Sequence, residues 1–285
     1  MDDSIDENAY SKIIQDFIFI NNNNTLIYGN KDFKTKRNPK ISVILSVRNG
    51  EAFIRAAVRS IQNQDLNDVE IIIVDDASED KSVEVIKNLM DEDGRIIFMQ
   101  NKENKGILYT RSIGILEARG KYMLILDVDD LFAVENAFSI MYEESEKNNL
   151  DILGFVSTQG RLNLDNFIYT RFSYHNNLET SIISQPELSK LAFNQNSNGD
   201  TIGFRDVVWG YLYKTELFKK IINEISDRFL NEINNSLGDL FLFFILVRRA
   251  KALKYIKKYY MSQFKKSRQI SPKLNILMKK KKLID

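Results

Sequence analysis

The chain contains no cysteine. That absence excludes disulfides, thiolate metal centres and a cysteine nucleophile, and it suits a reducing compartment. A single histidine is present, His175, in a polar stretch, and it reads as a solvated loop residue. No apolar run approaches the roughly 20 residues needed to cross a bilayer. The acidic start Met1-Asp2-Asp3 is unlike a signal peptide. The expected location is therefore cytoplasmic, with the basic tail around Lys279–Lys282 a candidate for contact with an anionic membrane surface, although a solvated terminus explains it as well. Charge of one sign is also missing. Lys and Arg total 40 against 39 Asp and Glu, a net charge of +1, so the molecule as a whole is not built to bind nucleic acid.

What is present is ordinary for a globular protein: 285 residues, 44% hydrophobic, enough for one large or two small cores. Residues 1–38 form a polar N-terminal extension and linker. From 39 to 150 strands and helices alternate. Ile41–Val47 is strand-like, and Phe53, Ile54, Val58 and Ile61 follow on one helical face. Val69–Val74 is a continuous apolar strand of the kind buried on both faces of a parallel sheet. A helix marked by Val83, Ile86, Leu89 and Met90 comes next, then a strand at Arg95–Met99, a helix at Leu108–Ala118 and a strand at Tyr122–Leu126. This alternation means βαβ units and an α/β fold with a mostly parallel, Rossmann-like sheet carrying helices on both faces. A smaller C-terminal half, 151–260, has a helix leading into it (Ala133–Glu146), a strand at Ile152–Ser157, irregular polar sequence to about Asn198, and helical patterns at Val207–Ile222 and Leu240–Ala250. Residues 261–285 read as a basic tail.

The run Met123–Leu126 stops abruptly at Asp127, Asp129 and Asp130. A buried strand ending in acids puts them at the carboxyl edge of the sheet, where open α/β folds bind ligands. Like charges so close are costly unless a cation neutralises them. Oxygen-only ligands suit Mg²⁺ or Mn²⁺, commonly shared with substrate phosphates. Asp75 and Asp76 end the second strand on the same edge. They could cap the next helix, but beside a second acid cluster a functional role is the stronger reading.

Four ordered motifs carry a family resemblance. Ile41-Ser-Val-Ile-Leu-Ser-Val-Arg-Asn-Gly50, Ile73-Val-Asp-Asp-Ala-Ser-Glu-Asp80, Asn104-Lys-Gly-Ile107 with Arg111, and Leu126-Asp-Val-Asp-Asp130 resemble those of family 2 glycosyltransferases with the GT-A fold. The resemblance is close over about 40–132 and looser through Val208–Thr215 and Asp239–Phe244. It implies a donor site in 39–150 and an acceptor site in 151–260. Ser46 and Arg48 would line the nucleobase pocket, and Asp76, with Asp75, would accept a hydrogen bond from the base. Arg111 would face the nucleotide or its diphosphate, and Asp127 would approach the ribose. Asp129 would hold Mn²⁺ or Mg²⁺, and Asp239 would be the catalytic base. The implied reaction is inverting transfer of a hexosyl or N-acetylhexosaminyl group from a nucleotide-sugar donor, UDP by default, to a glycan, lipid or protein hydroxyl.

The chain departs from the family pattern in three places. Arg48 stands where an aromatic residue is usual, and a guanidinium can also stack on a base. Ser112 replaces an asparagine. The expected acidic pair late in the chain is Gly238-Asp239. If Asp239 takes the base position the enzyme turns over; if Gly238 does, the chain is a binding-only relative. Asp206, Asp227 and Glu232 are fallback bases. Trp209, Tyr211 and Tyr213 suit either a core or a sugar-stacking platform. A nucleotidyltransferase would carry a glycine-rich basic loop after its first strand, and Ser46–Glu51 holds one glycine and one arginine. A phospho-receiver domain would need about half this length.

Overall fold

The computed structural model describes residues 25–29, 38–162, 167–170, 181–192, 208–225 and 235–264. Its strands form one sheet: β1 (Thr25–Gly29), β2 (Ile41–Val47), β3 (Val69–Asp75), β4 (Ile96–Asn101), β5 (Tyr122–Asp127), β6 (Asp130–Phe132), β7 (Ile152–Leu162), β8 (Phe167–Thr170), β9 (Ile183–Ser184), β10 (Tyr211–Lys214) and β11 (Ala252–Phe264). The helices are α1 (Ile54–Gln62), α2 (Ser82–Glu92), α3 (Ile107–Glu117), α4 (Ala137–Lys147), α5 (Glu187–Ala192), α6 (Thr215–Glu224) and α7 (Asn235–Arg249). The strand order is β1-β4-β3-β2-β5-β10-β7-β11-β6, with β8 on β7 and β9 on β11.

The core of that sheet is β4-β3-β2-β5, all parallel. The chain steps from β2 to β3 to β4 in one direction and then returns to the other side of β2 as β5. The gap between β2 and β5 is therefore the topological switch point, where flanking loops diverge and a crevice opens at the carboxyl ends. Ser46 lies opposite Asp127 in that register, and Val47 opposite Asp75. Every residue of β2 and β3 is buried, which is why their apolar runs do not alternate.

Two apolar layers sandwich the sheet. One gathers α3, α6 and α7 over Ile44, Ile72, Val74 and Ile125. The other gathers α1, α2 and α4 over Val43, Leu45, Ile71 and Leu126. Helix α3 lies unusually close to the strands because residue 114 is glycine: a Cβ there would stand 2.7 Å from Ile44 Cγ2. That close approach brings Arg111, one turn earlier, over the end of β5.

Three expectations need correction, and the N-terminal extension adds a strand, Thr25–Gly29, which pairs antiparallel with β4 and covers that edge. The helical pattern over Val207–Ile222 splits into β10 and α6: Tyr211 and Tyr213 point into the helix-covered core, and a strand between β5 and β7 fits their size and alternation. The stretch expected to be irregular holds β8, β9 and α5. The stretch 252–264 is one strand, parallel to β7, so the basic tail begins later than 261. The halves assigned as 39–150 and 151–260 share the sheet, β10 being wedged between β5 and β7.

Candidate active site

Arg111 is the centre of the carboxyl edge. Its Nη2 donates to Asp127 Oδ1 at 2.5 Å and its Nη1 to Asp239 Oδ1 at 2.6 Å. The side chain is 3% exposed. One guanidinium thus joins the end of β5, in the parallel half, to α7, in the other. Burial opposes its charge, but Asp127 and Asp239 outweigh that and hold it above its ordinary value, so it is a permanent cation. Burial pushes the Asp239 carboxyl up, Arg111 pulls against that, and the Asp127 charge adds to the rise. Arg111 Nε is buried with no hydrogen-bond partner.

Asp75 and Asp76 have different surroundings. Asp76 is filled by the protein: Oδ1 accepts from Asn101 Nδ2 (2.9 Å) and Lys105 N–H (2.7 Å), and Oδ2 from Gly106 N–H (2.9 Å). It ties the end of β3 to the loop that starts α3, a loop that needs Gly106 at φ 84°. Asn101 is itself held by Thr25, whose hydroxyl donates to Asn101 Oδ1 at 3.0 Å. Asp75 uses only Oδ2, which accepts from Ser78 N–H at 3.1 Å. Its Oδ1 is buried and unpartnered, as is Ser46 Oγ. Burial raises the Asp75 carboxyl, the Ser78 hydrogen bonds opposing it. Unmet acceptors of this kind are costly unless a ligand meets them.

The loops after β2 and β3 clamp each other. Asn49 and Ala77 both adopt positive φ, 51° and 54°, conformations that cost L side chains energy and collect at functional sites. Asn49 N–H donates to Ser78 Oγ (2.9 Å), Glu79 N–H to Asn49 Oδ1 (2.8 Å), and Gly50 N–H to Ser82 Oγ (2.9 Å). Arg48 lies along this clamp, with Nη1 donating to Asp76 O at 2.9 Å. The start of α2 is braced by Asp80, one residue before the Lys81 N-cap, and not by Asp75 or Asp76: Asp80 Oδ1 accepts from Ser82 N–H at 2.9 Å.

Asp129 sits half-buried in the turn between β5 and β6. Asp130 is buried and starts β6, facing Gln263. Among the described residues no three His, Asp or Glu side chains converge as a metal cage. One or two carboxylates completed by substrate phosphates and water is the usual Mg²⁺ arrangement, and the half-buried carboxylate of Asp129 in this turn is of the type it uses. Tyr211 and Tyr213 are core: their hydroxyls pair with Tyr255 (2.9 Å) and donate to Val208 O (2.9 Å), and their rings pack on Phe243 and Phe218. Trp209 is partly buried against the α1-side layer. His175, Asp206, Asp227, Glu232 and Lys279–Lys282 lie outside the described residues.

The structure thus brings Ser46, Arg48, Asp75, Asp76, Arg111, Asp127, Asp129 and Asp239 to one end of the sheet. The sequence reading passed over Asn101 and Thr25, which brace Asp76; no pattern in the sequence signals a single pairing between positions so far apart.

A parallel core in this order, with acids at its switch point, is an α/β fold of GT-A type. The profile described as Glycosyl transferase family 2 matches residues 42–212, and the chain belongs to that family. The uncharacterized glycosyltransferase EpsJ of Bacillus subtilis is 30% identical over 182 residues, covering 64% of this chain and 50% of EpsJ. The chain spans between 38% and 62% of the length of the first curated relatives it matches. Among solved structures, Staphylococcus aureus TarS 1–349 in complex with UDP superposes with a TM-score of 0.59 at 20% identity, over 86% of this chain and 64% of that one. The mannosyltransferase PcManGT of Pyrobaculum calidifontis, in complex with GDP-Man and Mn²⁺, gives 0.55 at 15% identity, over 81% and 57%. Among the described residues no helix is long and apolar enough to cross a membrane.

Proposed function

We propose that the chain is a metal-dependent, inverting glycosyltransferase that moves a hexosyl or N-acetylhexosaminyl group from a nucleoside diphosphate sugar to an acceptor hydroxyl. The observation that carries this reading is the pairing of a donor-side and an acceptor-side carboxylate, Asp127 and Asp239, through one buried arginine at the switch point. The unmet Asp75 Oδ1 and Ser46 Oγ suit a nucleobase that offers an N–H and a carbonyl, as uracil does. Asp76, being filled by three protein donors, supports the pocket from behind. UDP is the favoured nucleotide, in line with the UDP complex of TarS, and GDP, as in PcManGT, is the competitor.

Asp127 keeps Oδ2 for the ribose, and Asp129 would hold the Mn²⁺ or Mg²⁺. That ion, when bound, neutralises the diphosphate that leaves. Asp239 stands across from them. Arg111 occupies its Oδ1, so Oδ2 takes the proton of the acceptor hydroxyl as the acceptor oxygen bonds to the anomeric carbon. The bond from that carbon to the diphosphate breaks in the same step, and its electrons leave with the nucleoside diphosphate. One displacement inverts the anomeric configuration. Asp239, not Gly238, meets Arg111, which favours turnover over a binding-only relative. The acceptor class, glycan, lipid or protein, belongs to the same proposal.

The test is hydrolysis of UDP-glucose, UDP-galactose, UDP-N-acetylglucosamine and GDP-mannose with Mn²⁺, with the released sugar followed by proton NMR. Release of the inverted anomer from one donor, lost on chelation, is the expected result. A retained configuration, or hydrolysis of none of the four by a protein that binds the nucleotide, would contradict it.

A further inference from the structure

Arg111 is buried, and each of its terminal nitrogens donates to a carboxylate, Asp127 at 2.5 Å and Asp239 at 2.6 Å. A guanidinium already neutralised by two carboxylates has little net charge left for a diphosphate, the role the family resemblance implies for it. We propose that Arg111 is a positioning residue for Asp239: it fixes the carboxylate's rotamer, keeps it ionised and leaves Oδ2 free to accept the acceptor's proton, while anchoring the same base to the donor-side Asp127. This rests on Asp239 being the base.

The geometry supports it in three ways. The arginine approaches from α3, held flat on the sheet by Gly114, so its reach is set by the core and not by a loop. Asp239 lies on α7, in the half that offers the acceptor side, and the described contacts give its carboxylate no other hydrogen-bond donor. The charges facing Asp239 are Arg111 from α3 and Asp127 from β5, with the buried phenol of Tyr213 from β10 beside them. Without the guanidinium, two carboxylates would face each other across a buried gap, and Asp239 would be drawn toward its neutral form. Because Arg111 also holds Asp127, the base is registered against the ribose end of the donor pocket, and a shift of about 1 Å in such registration is enough to slow a displacement strongly.

The experiment compares Arg111→Gln, Arg111→Lys, Asp239→Asn and the double variant Arg111→Gln/Asp239→Asn. For each, kcat and KM are measured for donor hydrolysis, and the Kd for UDP with Mn²⁺ by calorimetry. Arg111→Gln is expected to lower kcat about 100-fold, the low end of what a general base supplies, and to change the UDP Kd by less than about threefold. Arg111→Lys, which restores the charge without the fork, should recover part of kcat. The double variant should be no slower than Asp239→Asn alone, because the arginine acts through that carboxylate. It also keeps the test open if Arg111→Gln alone fails to fold, since removing both charges together leaves fewer orphaned groups. A UDP Kd raised tenfold or more with kcat intact would make Arg111 a donor contact and overturn the proposal. So would an unchanged kcat in Arg111→Gln, or a double variant slower by the product of the two single effects. Full turnover by Asp239→Asn would instead strike the base assignment, and would be seen as such whatever Arg111 does.

Discussion

Two buried arginine–carboxylate clusters lie at opposite ends of the same parallel strands, and they are built differently. At the amino edge, Glu70 of β3 is completely buried and completely used. Oε1 accepts from Ser42 Oγ (2.6 Å), Arg119 N–H (2.5 Å) and Gly120 N–H (3.2 Å), and Oε2 accepts from Arg119 Nη2 (2.9 Å). At the carboxyl edge, Arg111 serves two acids with one oxygen each, its Nε is unmet, and Asp75 Oδ1 and Ser46 Oγ are buried and idle. Two of the three described non-glycine residues with positive φ, Asn49 and Ala77, are on that side, and the third, Asn149, precedes β7 at the amino edge. A satisfied cluster stabilises the fold. An unsatisfied one leaves donors and acceptors that a ligand can complete, and under the proposed function that ligand is the nucleotide-sugar donor.

The comparison is broken most sharply by substitutions that hit one edge and spare the other. Asp239→Asn should cut kcat by about 10²–10⁴, the range of a general base, and cost less stability than a substitution at the amino edge, because the amide Oδ1 still accepts from Arg111 and Arg111 keeps Asp127. Glu70→Ala should do the reverse. Losing one partner of a buried ion pair costs about 3–5 kcal/mol, read as a lower denaturation midpoint, while the folded fraction binds UDP as the parent does. Asp75→Asn should weaken UDP binding by about 10- to 100-fold, because a charge-assisted hydrogen bond of roughly 1.5–3 kcal/mol is lost. Thr25→Val should cost about 1 kcal/mol in stability and affect UDP affinity least, acting only through Asn101 and Asp76.

Asp75 sharpens the comparison by pH as well. Its folded carboxyl is raised above the ordinary value by burial, so the folded state binds the proton more tightly than the unfolded state. Stability contributed by the protonated form is complete below the unfolded value and is lost as pH climbs from there through the raised folded value. Asp75→Asn should therefore flatten the stability profile over that window, measured by denaturation from acid to neutral pH. A profile unchanged by the substitution would mean that Asp75 meets its partner in the absence of any ligand.

Much of this edge was legible in the sequence because it is local. The runs Ile41–Val47, Val69–Val74 and Tyr122–Leu126 are buried on both faces, so they read as parallel strands, and the acids that end them had to fall together. Helix α3 was legible within one residue at each end. The later half was not, because its elements are defined by distant partners. Tyr211–Lys214 has a helix-compatible pattern and becomes a strand only by fitting between β5 and β7. The extension looks polar and featureless until Thr25–Gly29 meets β4. Arg111 and Asp239 were each singled out, yet their ion pair joins positions far apart in the chain, and no periodicity reports such a contact.

Under the proposed function the carboxyl edge is a metal-assisted nucleotide site. Calorimetric titration of the protein with UDP, GDP and CMP, each with and without Mn²⁺, beside Asp129→Ala tests it most directly. Metal-dependent binding of UDP that Asp129→Ala abolishes is the predicted result. Absence of metal-dependent binding for all three nucleotides, or binding that Asp129→Ala leaves intact, would contradict it.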